Sequence, residues 1–315
     1  MDAILVSIVA YAKLILLSMV PFVLAGQGTM LGGRTGVFNV AQEGIMLVGA
    51  SVGFLVSYLS GSVFLGMLAA MLVGGVFGLA LAYFTTHLKM DQFVIGLALF
   101  FIGVGLSTLL PKLIIGVTLT PPLVPTIRDV PVPLLSQIPV LGDIFFNQNA
   151  LVYFSILVSL ALYWYLYRTK LGLELRSVGE NPQAADSLGI NVIRSRYWTA
   201  ILGGMLIGLA GAYLPMVYSG TFTEGIVKGR GWLAIALTFF GGWKPMTILY
   251  GALFFAMIEV LAYRVQVVGT GIPYQFLLML PYLATILVLV IISRDISKIK
   301  LNAPASLGRP FHPSR

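Results

Sequence analysis

The chain of 315 residues has no cysteine and only two histidines. The lack of cysteine excludes disulfides, thiolate metal sites and a cysteine nucleophile. His87 and His312 lie far apart in the sequence, so a histidine-based metal site or catalytic triad would need partners that neither has nearby. We therefore expect no cofactor, no metal ion and no catalytic residue.

The chain is also poor in charge. Charged residues make up 10% of it, against about 25% in soluble domains. Hydrophobic residues make up 58%, and the mean hydropathy is +0.97. This leaves too little polar surface to cover a soluble globule, so lipid is the expected solvent. The net charge of +8 comes without a run of Lys and Arg, which argues against a nucleic-acid partner.

Apolar runs of about twenty residues predict an all-α polytopic membrane protein. The first run is too long for a signal peptide, and Asp2 stands where a signal peptide has basic residues, so we expect it to be a membrane span. We predict about nine transmembrane helices, near residues 3–25, 42–59, 62–84, 93–110, 150–167, 197–218, 231–243, 246–264 and 274–292.

The positions of Lys and Arg predict the orientation of these helices. With the C-terminus inside, thirteen basic residues lie on the inner side and five on the outer side, and Lys13 falls within the first span. Because basic residues concentrate in cytoplasmic loops, we expect a cytoplasmic C-terminus and an external N-terminus. A single membrane domain, residues 1–315, then has an external loop 111–149, a cytoplasmic loop 168–196 and a cytoplasmic tail 293–315.

The cytoplasmic loop contains a polar stretch, 178–190, with the signals of a helix of about two turns. Asn181 is a good N-cap residue, and Pro182 suits the first helical position. Gly189 can adopt the left-handed conformation that ends a helix. A compact helix outside the bilayer indicates a docking element.

A second polar stretch, 32–44, precedes the second span. Asn39 followed by Gln42 is similar to a capping box, and Glu43 lies near the positive end of that span. Two interpretations stay open. These side chains either cap the helix only, or line the inner mouth of a polar path.

Glu259 is the sharpest candidate for a buried charge in the predicted spans, although it lies toward the outer end of its span, five residues before Arg264. An ionisable group inside a span is costly and marks a candidate functional site. The alternatives are an ion pair with Arg264 or Lys13, snorkelling, or a place in a polar path or helix interface. We expect Glu259 to contact another helix or another subunit and to face away from lipid. By contrast, Gly74 with Gly78 and Gly204 with Gly208 are small-residue pairs that predict close helix packing.

Several segments together resemble one family. Residues 36–50, GVFNVAQEGIMLVGA, resemble the signature of permeases in the ribose/branched-chain amino acid class of ABC importers. Residues 229–236, 240–245, 272–282 and 304–310 resemble the simple-sugar and nucleoside branch, including its purine nucleoside permeases. The polar stretch 178–190 resembles the coupling helix that touches the ATPase. The resemblance implies a type II (vitamin B12 importer-like) permease architecture in the bacterial inner membrane.

The resemblance also implies a function. The chain would be the permease subunit of an ATP-driven nucleoside importer, without an ATPase site of its own, since it has no Walker A loop. A riboflavin or simple-sugar permease and an ion-coupled secondary transporter are the alternatives. The implied partners are a homologous second permease, a cytoplasmic ATPase with two nucleotide-binding cassettes, an extracytoplasmic substrate-binding lipoprotein and membrane lipid.

The predicted sites follow from these segments. Coupling to the ATPase would use Gly179, Glu180, Asn181, Pro182, Ala184, Ala185 and Gly189. The translocation path would include Asn39, Gln42, Glu43 and Glu259.

Overall fold

The computed structural model describes residues 3–116, 122–267, 273–293 and 303–312, and this part of the chain is mainly helical. Of the predicted tail 293–315, residues 294–302 and 313–315 lie outside the described residues. The helices, in chain order, are α1 (Ala3–Gly33), α2 (Gln42–Ser60), α3 (Val63–Ala82), α4 (Gln92–Ile114), α5 (Ala150–Arg168), α6 (Lys170–Glu180), α7 (Pro182–Ser187), α8 (Val192–Tyr213), α9 (Arg230–Phe240), α10 (Pro245–Val267) and α11 (Tyr274–Ser293). Two short strands, β1 (Asp129–Pro131) and β2 (Asn147–Asn149), pair antiparallel.

Seven helices in the described ranges are long and apolar enough to cross a membrane, which confirms a polytopic membrane protein. They are Val6–Gly33, Gln42–Ser60, Val63–His87, Gln92–Ile114, Ala150–Arg168, Val192–Ser219 and Pro245–Val267. The other two predicted spans correspond to shorter apolar helices, Arg230–Phe240 and Gln275–Ile291. At 1.5 Å per residue, α9 reaches only about 17 Å, roughly half of a hydrocarbon core of about 30 Å.

Helix α1 continues to Gly33 rather than ending near residue 25. Its last turns stay inside the bundle, where neighbouring helices accept hydrogen bonds from a buried polar side chain. Gln27 is fully buried, and its amide nitrogen donates to Ser159 Oγ and to the Pro245 carbonyl, each at 2.9 Å. Polar groups cannot hydrogen-bond to lipid, so these contacts allow the helix to carry a glutamine at this depth.

Helix α8 lies at the centre of the bundle and packs against α1, α2 and α3. The predicted glycine pairs lie at this contact: Gly74 faces Gly204, and Gly78 faces the Ala200 carbonyl. A Cβ atom added at any of these glycines would collide with the backbone of the opposite helix. Their packing role is confirmed, since only small residues allow two backbones to approach this closely.

The bundle has two distinct ends. The sheet end consists of residues 122–149 and the helix termini beside them, and the ion pair between Lys13 Nζ and Asp129 Oδ2 (2.7 Å) ties α1 to it. Prolines leave only short elements there, although α4 continues through Pro111. The α7 end consists of residues 34–36, 168–196, 241–245 and 303–312, and it contains the candidate docking helix.

Candidate functional site

Helix α7 is capped at both ends by its own sequence, as predicted. Asn181 Oδ1 accepts a hydrogen bond from the Ala184 N–H at 3.0 Å, and Pro182 occupies the first turn. At the other end Gly189 is left-handed, with φ +83°. The Gly189 N–H donates to the Asp186 carbonyl (2.9 Å) and the Ile190 N–H to the Ala185 carbonyl (3.0 Å), which is a Schellman arrangement. Both ends of this six-residue helix are therefore closed by hydrogen bonds within residues 181–190.

One side of α7 is anchored and the other side is open. Ala185 is 1% exposed and packs with Val178, Val192 and Phe311 in a small apolar cluster. The opposite side presents exposed residues, and the Leu188 side chain is 80% exposed. The helix thus has a fixed base and an accessible face, the arrangement that a docking element needs.

The predicted coupling residues divide between these two sides. Glu180, Asn181, Ala184 and Gly189 are exposed and Pro182 is half-buried, whereas Gly179 and Ala185 are buried. A Cβ atom at Gly179 would collide with the Arg34 carbonyl. Gly179 and Ala185 therefore support the helix from behind. Helix α6, which leads into α7, was not predicted.

The C-terminal strap, residues 303–312, holds α6 and α7 to the rest of the α7 end. The Ser306 N–H donates to the Gly179 carbonyl at 2.9 Å, and the Gly308 N–H donates to the Gly36 carbonyl at 3.1 Å. Glu180 Oε2 accepts from the Ala305 N–H at 3.4 Å. The strap therefore joins the base of the docking helix to the turn that follows α1.

Two buried arginines complete this end, and sequence reasoning treated both only as cytoplasmic charges. Arg196 is fully buried; its Nε donates to the Thr35 carbonyl at 3.0 Å and its guanidinium to the Arg309 carbonyl at 3.1 Å. Arg34 Nε donates to the Trp243 carbonyl at 2.7 Å. Burial lowers the pKa of Arg34, yet an arginine stays charged at physiological pH. Both side chains join segments that are distant in sequence.

The polar stretch before α2 is arranged differently from the prediction. Helix α2 begins at Gln42 with Ala41 as its N-cap, without a side-chain cap, so the expected capping box is wrong. Asn39 Oδ1 instead accepts from the Ala41 N–H at 3.0 Å, which is a local turn. Gln42 bonds to Thr29 of α1. Thr29, from an earlier helix, thus takes the Gln42 oxygen that a capping box would use.

Glu43 caps α9 rather than its own helix. Its carboxylate accepts from the Gly229 N–H at 2.8 Å and from the Gly231 N–H at 2.7 Å, and the residue is only 6% exposed. The N-terminus of a helix has unpaired N–H groups and a partial positive charge, so a carboxylate there is stabilising. The short helix α9 therefore starts inside the bundle, where the buried Glu43 carboxylate caps its N-terminus.

Glu259 contacts the same segment. Its partner is Arg230 of α9, rather than Arg264 or Lys13, and the two side chains are 12% and 11% exposed. We define residues 229–231 as the junction, because Glu43 binds its N–H groups and Glu259 binds its arginine. Two predicted path residues, 216 positions apart (259 − 43), thus meet through a segment that sequence reasoning had not included in the site. A role of Asn39, Gln42, Glu43 and Glu259 in a path stays a prediction.

Within the described ranges, no group of three or more His, Asp or Glu side chains comes together.

Comparison with known proteins assigns the chain to a family. The family described as "Branched-chain amino acid transport system / permease component" matches residues 11–292. The chain is 34% identical over 308 residues to the guanosine ABC transporter permease protein of Bacillus subtilis, covering 92% of each. It is 36% identical over 283 residues to the nucleoside ABC transporter permease protein of Lactococcus lactis, covering 85% of this chain and 87% of that protein.

A third relative is an ABC transporter permease protein of Haloferax volcanii that is provisionally assigned to glucose. It is 33% identical over 311 residues, covering 92% of this chain and 93% of the relative. No solved structure gave a significant match. The family match over nearly the whole chain, together with seven apolar spans among the described residues, shows a multi-pass protein of the cell membrane. The chain belongs to the branched-chain amino acid transport system permease family, a family of ABC transporter permease subunits.

Proposed function

We propose that this chain is the permease subunit of an ATP-driven nucleoside importer. Two of the relatives above are named for guanosine and for nucleosides, and each covers most of the chain. In this proposal a homologous second permease supplies the other half of the path. A cytoplasmic ATPase with two nucleotide-binding cassettes supplies the energy, and a substrate-binding lipoprotein delivers the nucleoside from outside.

The observation that carries this proposal is the form of α7. Helix α7 has six residues and is capped at both ends, and its exposed face is free to contact another protein. Its base is bonded to the strap and through the strap to Gly36, close to where α1 ends. A push on α7 from an ATPase therefore reaches the membrane helices through existing contacts.

The nine crossings of the type II architecture belong to the same proposal. The Gly220 carbonyl accepts from the Val124 N–H at the sheet end (2.8 Å), whereas Trp243 contacts Arg34 at the α7 end. The chain between them, an irregular segment followed by α9, therefore connects the two ends and counts as one crossing. With α11 as another, the seven long helices become nine crossings.

The proposed orientation places the α7 end in the cytoplasm and the sheet end outside, in agreement with the excess of basic residues near α7. Cysteine labelling tests it cleanly because the chain has no native cysteine. Both Gln137 and Gln183 are exposed, at the sheet end and on α7 respectively. An impermeant thiol reagent added outside should label Gln137→Cys and spare Gln183→Cys. The opposite pattern would reverse the orientation.

Uptake of labelled guanosine into proteoliposomes that contain the complete transporter tests the proposed activity. We expect ATP-dependent uptake, and we expect Ala184→Arg to abolish both uptake and capture of the ATPase while the permease stays folded. Gln137→Arg, at the opposite end, should leave both unchanged. Normal capture and uptake in Ala184→Arg would exclude the docking role of α7.

A simple sugar is the second candidate substrate, and the relative assigned to glucose is the observation that favours it. Competition of labelled guanosine uptake with unlabelled nucleosides, glucose and riboflavin separates these candidates. Inhibition by nucleosides alone supports the proposal. Uptake that persists without the ATPase would instead indicate an ion-coupled transporter.

A further inference from the structure

Two cavities adjoin the junction on the side away from α7. Their volumes are about 490 and 320 Å³, within the range of roughly 300–1,000 Å³ that is typical of small-molecule sites. The walls of both include Lys228, Arg230, Glu259 and Tyr263. The ion pair between Arg230 and Glu259 is therefore part of a wall that the two cavities share.

The depth of this wall follows from α10. Glu259 lies fourteen residues after Pro245, the first residue of the helix at the α7 end, which corresponds to about 21 Å at 1.5 Å per residue. The larger cavity also touches Ser7, Tyr11 and Ser18 of α1, which belong to the half of that helix near the sheet end. The cavities thus lie in the half of the bundle that faces the sheet end.

The lining of the larger cavity is mainly apolar and carries three kinds of functional group. Tyr11, Tyr218 and Tyr263 contribute aromatic rings, and serine and threonine residues contribute hydroxyls. Arg230 and Glu259 contribute a charge pair that is largely neutralised within itself, while Lys228 and Arg264 are exposed. A ligand with a flat aromatic part and several hydroxyls, and without a net charge, matches this lining.

Two buried oxygen atoms of this lining have no partner. Glu259 Oε1 binds Arg230, but Glu259 Oε2 has no hydrogen-bond partner within the described chain, and the same holds for Tyr11 Oη. Buried polar atoms are almost always hydrogen-bonded, so unpaired ones need an explanation. A carboxylate oxygen accepts only, and a phenol can donate or accept, so the missing partner of Glu259 is a donor such as a sugar hydroxyl.

We infer that the larger cavity is a transit site for a nucleoside, in which Glu259 accepts from a ribose hydroxyl and Tyr11 bonds to the same ligand. This inference rests on the proposed nucleoside import and names the residues that would recognise the substrate within the permease. Arg230 holds the Glu259 carboxylate in place, so one of its oxygens is left for the ligand. The tyrosine rings then pack against the base.

Tyr11→Phe is the sharpest test because it removes an oxygen that has no partner in the protein. A merely structural tyrosine would tolerate this change. We expect guanosine uptake by the complete transporter in proteoliposomes to fall about three- to tenfold, in line with one lost hydrogen bond, at unchanged thermal stability. Lys13→Gln is the matched control on the same helix, since Lys13 pairs with Asp129 at the sheet end. Wild-type uptake in Tyr11→Phe would overturn the inference.

A second arm uses 2′,3′-dideoxyguanosine, which lacks the ribose hydroxyls at those two positions. The same lipoprotein serves every variant, so a changed ratio of guanosine to dideoxyguanosine uptake arises in the permease. We expect Glu259→Gln to lower this ratio at least threefold, and an unchanged ratio would overturn the role of the carboxylate. A wild-type transporter that carries no guanosine would contradict the proposed function itself, whereas normal wild-type uptake with indifferent variants would contradict this site alone.

Discussion

The buried arginines at the α7 end and at the junction have different kinds of partner. At the α7 end, Arg196 bonds to neutral backbone carbonyls, those of Thr35 and Arg309. At the junction, Arg230 pairs with the carboxylate of Glu259. Losing Arg196 would remove hydrogen bonds to neutral carbonyls, whereas a buried carboxylate that loses its cation is left as an uncompensated charge, which is more strongly destabilising. The comparison separates contacts between a charge and neutral groups from contacts between two charges.

The comparison predicts that Arg230→Ala has the largest effect. It leaves the Glu259 carboxylate without its cation, and removing one partner of a buried pair typically costs about 3–5 kcal/mol. We expect a matching drop in the thermal unfolding midpoint of the detergent-solubilised protein. The double variant Arg230→Leu with Glu259→Leu should recover much of that loss. Equal losses in the single and double variants would show that the charge pair itself is unimportant.

Glu43→Gln should have the next largest effect. Glutamine keeps the shape of the side chain but only one oxygen, and it removes the negative charge from the α9 N-terminus. Since hydrogen bonds to charged groups contribute about 1.5–3 kcal/mol each, we expect a loss of about 2–3 kcal/mol in the same unfolding measurement. The control is Glu174→Gln on the exposed face of α6, which should change little. Similar midpoints for the two variants would contradict the capping role of Glu43.

Arg196→Lys should have a smaller and more local effect. Lysine keeps the charge, but it lacks the fork that reaches the Thr35 and Arg309 carbonyls together. We expect a loss of about 1–2 kcal/mol, and faster proteolysis within the strap while the membrane helices stay resistant. If the strap is cleaved at the wild-type rate, Arg196 does not hold it.

Asn181→Ala should have the smallest effect, about 1 kcal/mol, because an N-cap supplies a single hydrogen bond to an exposed helix. Hydrogen exchange should become faster in residues 182–187 only. Asn191→Ala is the matched control, since Asn191 caps the neighbouring α8 with a bond of 2.8 Å to the Arg194 N–H. Unchanged exchange in α7 after Asn181→Ala would mean that its stability comes from elsewhere.

The contacts with the largest expected effects are those that the sequence did not predict, and the contact with the smallest effect is one that it did. The caps of α7 lie within about ten residues of one another, so local rules predicted Asn181, Pro182 and Gly189 correctly. The junction joins Glu43 to residues 229 and 231, and Arg230 to Glu259. No local pattern encodes partners that lie 186 and 29 residues apart in the sequence. For the same reason the pattern around Asn39 favoured a capping box, although the fold directs Gln42 to Thr29 instead.

Helix lengths show a second limit. Apolar runs located the seven long membrane helices of the described residues. Hydropathy could not show that α9 starts within the bundle, because its N-terminal N–H groups are satisfied by a distant carboxylate. Similarly, α1 continues beyond residue 25, where the predicted span ends, because Gln27 and Arg34 hydrogen-bond to distant parts of the chain. In both places a polar group that hydropathy would assign to water is instead bonded to a distant part of the protein.

Cross-linking of α7 to the ATPase tests the central claim most directly, namely that the exposed face of this helix is the docking surface. Ala184 is exposed and Ala185, its neighbour on the same helix, is buried. We predict that Ala184→Cys forms a cross-link to a cysteine-bearing ATPase in the assembled transporter, and that the yield changes with ATP. Ala185→Cys and Ser60→Cys, the latter at the sheet end, should form none. Equal cross-linking of Ala184→Cys and Ala185→Cys, or none at Ala184→Cys in an active transporter, would contradict the claim.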